Sequence, residues 1–266
     1  MFQNHAGTGL LFVAGMMAGT PPAVWLAGLL ALLLSTLLTP GEEDGLGGYN
    51  AILVGAALAT FLAPTPALVL LVILGALVTP TVMATISRIT GGSALTAPFV
   101  LVTWLLLLAT HQFQQFPAAS AGASAHWALN FWVMAGLQGV SQVFLVQSPI
   151  TGTLFLVGLA LSSRWAALLA LAGSLLGALL ATAAGAPLDQ VEAGLFGFSP
   201  VLTAIALGCT FFPPTPRHLS YALLATVLTV FAQAALNVAL QPLALPALTA
   251  PFVLVTWLFR AARAKS

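Results

Sequence analysis

Charged side chains are scarce in this chain of 266 residues, where Asp, Glu, Lys and Arg together make up 4%. Soluble domains carry about 25% charged residues, so the composition excludes a water-soluble globule. The formal net charge of +1 gives no basic surface for phosphates, and we expect no nucleic-acid partner. The 60% of apolar residues predicts an all-α integral membrane protein in contact with lipid. The apolar runs are continuous, whereas barrel strands alternate.

Metal-ligand and catalytic clusters are also lacking. The single cysteine, Cys209, excludes an intrachain disulfide, and the four histidines show no metal-ligand spacing. Nothing resembles a nucleophile–base pair, and no Asp or Glu lies in the middle of an apolar run. We therefore expect no enzyme, no metal and no cofactor. The lack of mid-span acids favours passive flow over ion-coupled transport.

The chain contains an internal duplication. Three pairs of matching segments keep the same order: 94–105 with 247–258, 45–50 with 194–199, and 8–15 with 151–158. The first pair shares ALTAPFVLVTWL without a mismatch. Three collinear matches indicate two homologous halves, and we predict repeats at 1–116 and 117–266.

The alignment leaves residues 124–143 without a counterpart in the first half. That segment is long enough for one membrane helix of about 20 residues. We therefore expect the first half to lack its opening helix, through a misplaced start codon or as a truncated variant.

Several apolar runs are too short to span about 30 Å of hydrocarbon as straight helices. They occupy matched places in the two halves: 7–19, 152–161, and the segments opened by Pro98 and Pro251. Short or proline-interrupted segments at corresponding positions of a membrane repeat indicate a solute site near the midplane. The hypothesis is a central pore with pseudo-twofold symmetry, built from half-helices.

The few charged residues stand at predicted loop edges. The acidic residues 42–44 and the pair 189 and 192 precede the matched glycine motifs, and Arg260, Arg263 and Lys265 crowd the C-terminus. The positive-inside tendency predicts that this end is cytoplasmic.

The second repeat places Leu245, Pro246, Thr249, Pro251 and Phe252 in the order L-P-x-x-T-x-P-F. This resembles the signature of the urea transporter family, which bacterial members carry once in each half. The glycine motifs and the stretch QVFLVQSPITG are also similar to that family. The resemblance implies two inverted halves, each with five spanning helices and one re-entrant helix. It also implies a urea pore in every protomer, a homotrimer and a bacterial inner membrane.

The first copy keeps Thr96, Pro98 and Phe99 of this signature but has no Leu-Pro pair. In the second glycine motif, Ser199 stands where the family has Asn. The two copies therefore differ at positions close to the expected pore.

Urea is small, flat and uncharged, with four N–H donors and one strong acceptor. A selective slot would hold the plane between aromatic rings and offer oxygens to the N–H groups. The family motif places its threonine at the centre of the pore, so Thr96 and Thr249 are the first candidates. Tyr49 and Phe198 are candidate stacking rings. The alternatives are hydroxyls that bond back to their own helix and rings that only pack.

Three further candidates remain. Gln142 is a candidate for the vestibule. The alignment pairs Phe2 with Leu145, so a pair of stacking rings at these positions would be one-sided. We expect Phe99 and Phe252 to pack in the core.

The leading function is passive, channel-like transport of urea through a narrow slot lined by aromatic rings and oxygens. Alternatives are a pore for another small neutral solute, such as ammonia or a short amide, and a truncated membrane subunit that does not transport.

Overall fold

The computed structural model describes residues 5–39, 46–113, 115–119 and 129–263, which are mostly helical. Within them the only β-pairing is an isolated antiparallel bridge between Leu62 and Ala118. The α-helices of these residues are α1 (Ala6–Gly19), α2 (Pro22–Leu38), α3 (Leu46–Phe61), α4 (Pro66–Thr90), α5 (Ala97–Thr110), α6 (Phe131–Ser141), α7 (Pro149–Ser162), α8 (Arg164–Ala183), α9 (Leu188–Glu192), α10 (Phe198–Ile205), α11 (Pro216–Leu240) and α12 (Ala250–Arg263). The predicted all-α class is confirmed.

The helices group into two compact units. Helices α2 to α5 and residues 242–245 form the four-helix unit, and α1 with α6 to α12 forms the larger unit. This grouping reflects packing, whereas the predicted repeats reflect duplication. The repeat boundary after residue 116 therefore stays a prediction.

Among the described residues, α4, α8 and α11 are long and apolar enough to cross a bilayer singly. Helix α6 continues through a 3₁₀ turn to Phe144 and meets α7 at a bend of 76°, so this pair is a broken span or a re-entrant loop. The long helices expose large apolar side chains, among them Leu70, Leu168 and Leu224. Such a surface suits lipid. The chain is a multi-pass membrane protein.

Four helices are too short to span the membrane as straight helices. Helices α1, α5, α7 and α12 have 14 residues each. At a rise of 1.5 Å per residue they reach about 21 Å, against about 30 Å of hydrocarbon. They coincide with the four segments that the sequence marks as short, so that expectation is confirmed.

The breaks before α5 and α12 share an unusual backbone conformation. Gly91 and Leu95 have φ of 59° and 54°, and Ala244 and Leu248 have φ of 49° and 48°. Gly91 corresponds to Ala244 and Leu95 corresponds to Leu248, each at the same separation in sequence as the two Thr-Ala-Pro-Phe segments. A left-handed residue other than glycine costs about 1 kcal/mol. The recurrence of a left-handed leucine therefore indicates that both copies inherited one turn.

Helices α3 and α10 lie at the buried centre of their units. Residues 50–59 of α3 and every residue of α10 are buried. Gly55 of α3 faces the Ala27 carbonyl of α2, and Gly177 of α8 faces the Phe196 carbonyl, with no room for a Cβ at either glycine. These close approaches fix the helices that carry the glycine motifs.

Helices α1 and α7 pack through reciprocal hydrogen bonds. The Thr8 hydroxyl donates to the carbonyl of Gly158 at 2.7 Å, and the Thr151 hydroxyl donates to the carbonyl of Gly15 at 2.8 Å. The two threonines correspond in the repeat alignment, and so do the two glycines. The start of each helix therefore meets the end of the other. The helices are antiparallel, and equivalent residues of the two helices make reciprocal contacts.

Equivalent phenylalanines stack between these helices. The ring centroids of Phe12 and Phe155 lie 4.3 Å apart, and Phe144 meets them edge-on at 5.6 and 5.2 Å. A Cβ on Gly15 would lie 2.9 Å from the Phe155 ring, and one on Gly158 would lie 3.2 Å from the Phe12 ring. Glycine at both positions therefore allows the rings to lie between the helices.

We predict opposite effects for two glycine-to-alanine changes in α1. Gly15→Ala should lower the free energy of unfolding by about 1–3 kcal/mol, because the methyl group would press on a buried ring. At Gly9 an added Cβ meets no atom within 4 Å, so alanine should leave stability unchanged or raise it by up to about 1 kcal/mol. Thermal unfolding in detergent, followed by tryptophan fluorescence, measures both. Equal effects would contradict the close packing of α1 on α7.

Candidate functional site

The two Thr-Ala-Pro-Phe segments fold into the same turn. The N–H of Ala97 donates to the carbonyl of Ala94 at 3.1 Å, and the N–H of Ala250 donates to the carbonyl of Ala247 at 3.2 Å. A proline follows in the first turn of each helix. The N–H groups of this turn have no acceptor within the helix, so proline costs no hydrogen bond there. Each turn thus places a threonine directly before a 14-residue helix.

Thr96 and Thr249 are buried in these turns, with 3% and 2% of their surface exposed. The carbonyl of Thr96 accepts from Val100 at 3.1 Å, and that of Thr249 accepts from Val253 at 3.1 Å. Each threonine lies at a helix N-terminus, where the first N–H groups lack helical acceptors. The structure places the two leading candidates at corresponding breaks, each within its own unit.

The other signature residues pack around the breaks. Phe99 and Phe252 are 1% and 0% exposed, which fits side chains that fill the interior. Of the full set, Pro246 is half-buried and the rest are buried: Pro98, Phe99, Leu245, Pro251 and Phe252.

Asn50 of α3 bridges the first break. Its side-chain nitrogen donates to the carbonyl of Leu95 at 3.1 Å, and its side-chain oxygen accepts from the N–H of Phe99 at 3.1 Å. The side chain is fully buried. One amide therefore satisfies a carbonyl before α5 and an N–H in its first turn, groups that hydrocarbon would leave unpaired.

The second copy uses a different polar pair at the equivalent place. Ser199 replaces Asn50, and its hydroxyl donates to the side-chain oxygen of Gln233 on α11 at 2.8 Å. Counted from the first residues of α4 and α11, Gln233 takes the place of Met83, whose sulfur lies 3.9 Å from the Asn50 amide nitrogen. The side-chain amide of this contact therefore belongs to α3 in the first copy and to α11 in the second. This accounts for the serine that departs from the family motif.

Further hydroxyls join this contact between α10 and α11. The Thr203 and Thr229 oxygens lie 3.0 Å apart, and the Gln233 amide nitrogen donates to Asn237 at 3.1 Å. Val54 occupies the place of Thr203 in the first copy. The hydrogen-bonded network therefore belongs to the second copy and holds two helices together.

The candidate rings Tyr49 and Phe198 lie at the beginnings of the central helices. Tyr49 is in the first turn of α3 with its hydroxyl oxygen buried, and Phe198 opens α10 with 9% exposed. Gly194, which starts the second motif, is left-handed with φ of 78°. Each ring lies in its own unit, and their role as stacking rings stays a prediction.

Gln142 and Leu145 lie at the bend between α6 and α7. The amide nitrogen of Gln142 donates to the carbonyl of Ala193 at 2.9 Å, which ties the bend to the segment before α10. Leu145 is left-handed, with φ of 59°, and it turns the chain toward α7. Phe2, its predicted counterpart, lies outside the described residues.

Residues 1–264 match the family model described as Urea transporter. The chain belongs to the urea transporter family. The match spans both predicted halves, and it confirms the resemblance carried by the signature and the glycine motifs. Members of this family are transporters, so the expectation that the chain is not an enzyme is also confirmed.

Mammalian members of the family are similar over nearly the whole chain. Urea transporter 1 of Ovis aries is 28% identical over 290 aligned residues, which cover 97% of this chain and 73% of the relative. Urea transporter 1 of Rattus norvegicus is 29% identical, and that of Mus musculus is 28% identical, with the same coverage.

Two further buried hydroxyl groups of this urea transporter are not among the site residues that the sequence predicts. The hydroxyls of Thr103 and Thr256 are fully buried and have no hydrogen-bond partner among the described residues. Each lies seven residues after the motif threonine, two turns along the same helix face and about 10 Å away. The exact repeat contains both threonines, but their unpaired state requires the packed structure. Asn50 is also absent from the predicted site, although an amide in an apolar helix needs an internal hydrogen-bond partner.

We predict that Asn50, which bonds two backbone groups of the first break, stabilises the fold more than Ser199, which bonds one side chain on α11. Asn50→Leu should lower the free energy of unfolding by about 2–5 kcal/mol, because it leaves a buried carbonyl and a buried N–H unpaired. Ser199→Ala leaves one buried acceptor, the side-chain oxygen of Gln233, unpaired and should cost about 1–3 kcal/mol. Thermal unfolding of both variants in detergent gives the comparison.

The control copies the polar pair of the second repeat into the first. Asn50→Ser combined with Met83→Gln should recover part of the stability that Asn50→Ser loses alone. An Asn50→Leu variant as stable as Ser199→Ala would remove Asn50 from its bridging role.

Proposed function

We propose that this protein conducts urea passively down its concentration gradient. Membership of the urea transporter family supports this function over two alternatives, a pore for other neutral solutes and a membrane subunit that does not transport. The charge distribution supports a passive mechanism. In the described ranges, Arg88, Arg164, Arg217, Arg260 and Arg263 stand in the first or last turns of α4, α8, α11 and α12, and Asp189 and Glu192 lie in the short α9. Ion-coupled transporters carry ionisable residues at mid-span.

The observation that carries the proposal is the pair of identical breaks, each with a buried threonine before a short helix. Interrupted helices at matched positions of a membrane repeat are typical of solute sites. The reciprocal contacts of the antiparallel helices α1 and α7 support the further proposal that the two halves are inverted.

The chemistry of the breaks suits urea. A threonine hydroxyl and nearby carbonyls accept hydrogen bonds, so they can replace the water that urea loses on entering a narrow path. Thr96 and Thr249 would accept from its N–H groups. Thr103 and Thr256 would extend each line of oxygens, because an unpaired buried hydroxyl gains from a polar solute or a water.

The aromatic and amide candidates complete the proposal. Tyr49 and Phe198 would offer flat faces to the urea plane. Gln142, Leu145 and Phe2 would shape the entrance. These side chains carry no charge, so hydrated ions would gain no compensation there for lost water.

We predict that replacing the motif threonines slows urea flux. In proteoliposomes under a urea gradient, Thr96→Val and Thr249→Val should each reduce permeability about tenfold, equivalent to about 1.4 kcal/mol in the barrier. Thr36→Val is the matched control, because the exposed Thr36 hydroxyl bonds back to Leu32 of its own helix. The double variant with wild-type flux would exclude both threonines from the path.

We also predict selectivity for urea over acetamide in the same vesicles. Acetamide has two N–H donors where urea has four, so it gains fewer hydrogen bonds along an oxygen-lined path. Its permeability should be at least about fivefold lower. Equal permeability, with ammonia equally fast, would indicate a general pore for small neutral solutes.

We further propose a homotrimer in the inner membrane of a bacterium. The support is the signature that the chain shares with bacterial members of the family. Native mass spectrometry of the detergent-purified chain should give three copies. A monomer under conditions that preserve urea flux would contradict the trimer.

A further inference from the structure

The charged residues of the larger unit are segregated by sign. Helix α8 runs about 30 Å from Arg164 to the end near α9, which carries Asp189 and Glu192. Helix α10 begins after α9 and leads, through Phe211 and Phe212, to α11. The described basic residues of this unit, Arg164, Arg217, Arg260 and Arg263, therefore lie at the end away from the acidic pair.

At this end two guanidinium groups lie over aromatic rings. The Arg260 guanidinium carbon is 4.0 Å from the ring centroid of Phe211. That of Arg263 is 5.1 Å from Phe212 and 5.2 Å from Tyr221. We name these five residues the Arg–aromatic cluster. A guanidinium that stacks by its face keeps its N–H donors around the edge.

The rings are fixed by the surrounding structure. The Tyr221 hydroxyl donates to the carbonyl of Phe259 at 2.7 Å, in the last turn of α12, and His218 stacks on Phe212. The stacked rings restrict the two arginine side chains, so less conformational entropy is lost on binding a ligand. Arg260 has no carboxylate partner among the described residues.

An apolar surface leads up to the cluster along the same helices. Leu254 and Leu258 of α12 are 52% and 58% exposed, and Leu223 and Leu224 of α11 are 55% and 61% exposed. Such a surface favours acyl chains, and the cations at its end favour an anionic group. A phospholipid combines both features in one molecule, whereas a free phosphate ion matches only the cations.

We propose that the Arg–aromatic cluster binds the phosphate headgroup of an anionic phospholipid in the leaflet on the C-terminal side. The planar donor fork of arginine matches phosphate oxygens. The acyl chains lie along the exposed leucines of α11 and α12. Stacking distinguishes this site from a general attraction of basic residues to an anionic surface, because it holds the donor groups in place.

The test is a titration of the purified full chain in detergent, with bound lipids counted by native mass spectrometry. Phosphatidylglycerol should bind more tightly than phosphatidylcholine. Arg260→Gln with Arg263→Gln should weaken phosphatidylglycerol binding at least about tenfold and leave phosphatidylcholine binding unchanged. Arg88→Gln with Arg164→Gln removes the same charge elsewhere and should retain tight binding. Urea flux in phosphatidylcholine vesicles checks that the variants fold.

Several results would overturn the lipid site. Equal weakening in the two double variants would indicate general electrostatics. Competition by inorganic phosphate at millimolar concentration would indicate a simple anion site. A change in the number of copies per particle, without a change in lipid binding, would make the cluster a contact between subunits. Arg260→Lys with Arg263→Lys keeps the charge but loses the planar donor fork of arginine. If this double variant binds phosphatidylglycerol as tightly as the wild type, stacking plays no part in binding.

Discussion

A helix that stops inside hydrocarbon leaves N–H and C=O groups that lipid cannot pair, and this structure depends on how those groups are satisfied. The chain stops twice in the same way, at the turns that precede α5 and α12. In the first break, Asn50 bonds a carbonyl and an N–H with one side chain. Protein groups can thus stabilise a helix break within the membrane.

The two copies carry different polar side chains at the position of Asn50. The amide lies on α3 in the first copy and on α11 in the second, where Gln233 accepts from Ser199. The turns themselves keep the same left-handed leucines, Leu95 and Leu248. The two breaks therefore share a backbone conformation, while the polar side chains on the neighbouring helices have diverged.

Sequence alone predicts those parts of the protein that depend on local pattern. The matched short helices and the positions of Thr96 and Thr249 follow from an uninterrupted repeat and from apolar length. The bonds of Asn50 and Gln233 join residues far apart in the chain, so no local pattern reveals them. The reciprocal packing of Phe12 on Phe155 likewise depends on which helices meet. The stacking roles of Tyr49 and Phe198 remain predictions, since they concern contacts with a solute.

The central claim is that an uncharged, oxygen-lined route lets urea pass without an energy source. Stopped-flow light scattering of proteoliposomes, with and without ionophores that collapse proton and sodium gradients, tests it most directly. The account predicts urea equilibration faster than in protein-free vesicles, at the same rate with and without ionophores. Equilibration no faster than in empty vesicles, or a rate that falls when the ion gradients collapse, would contradict it.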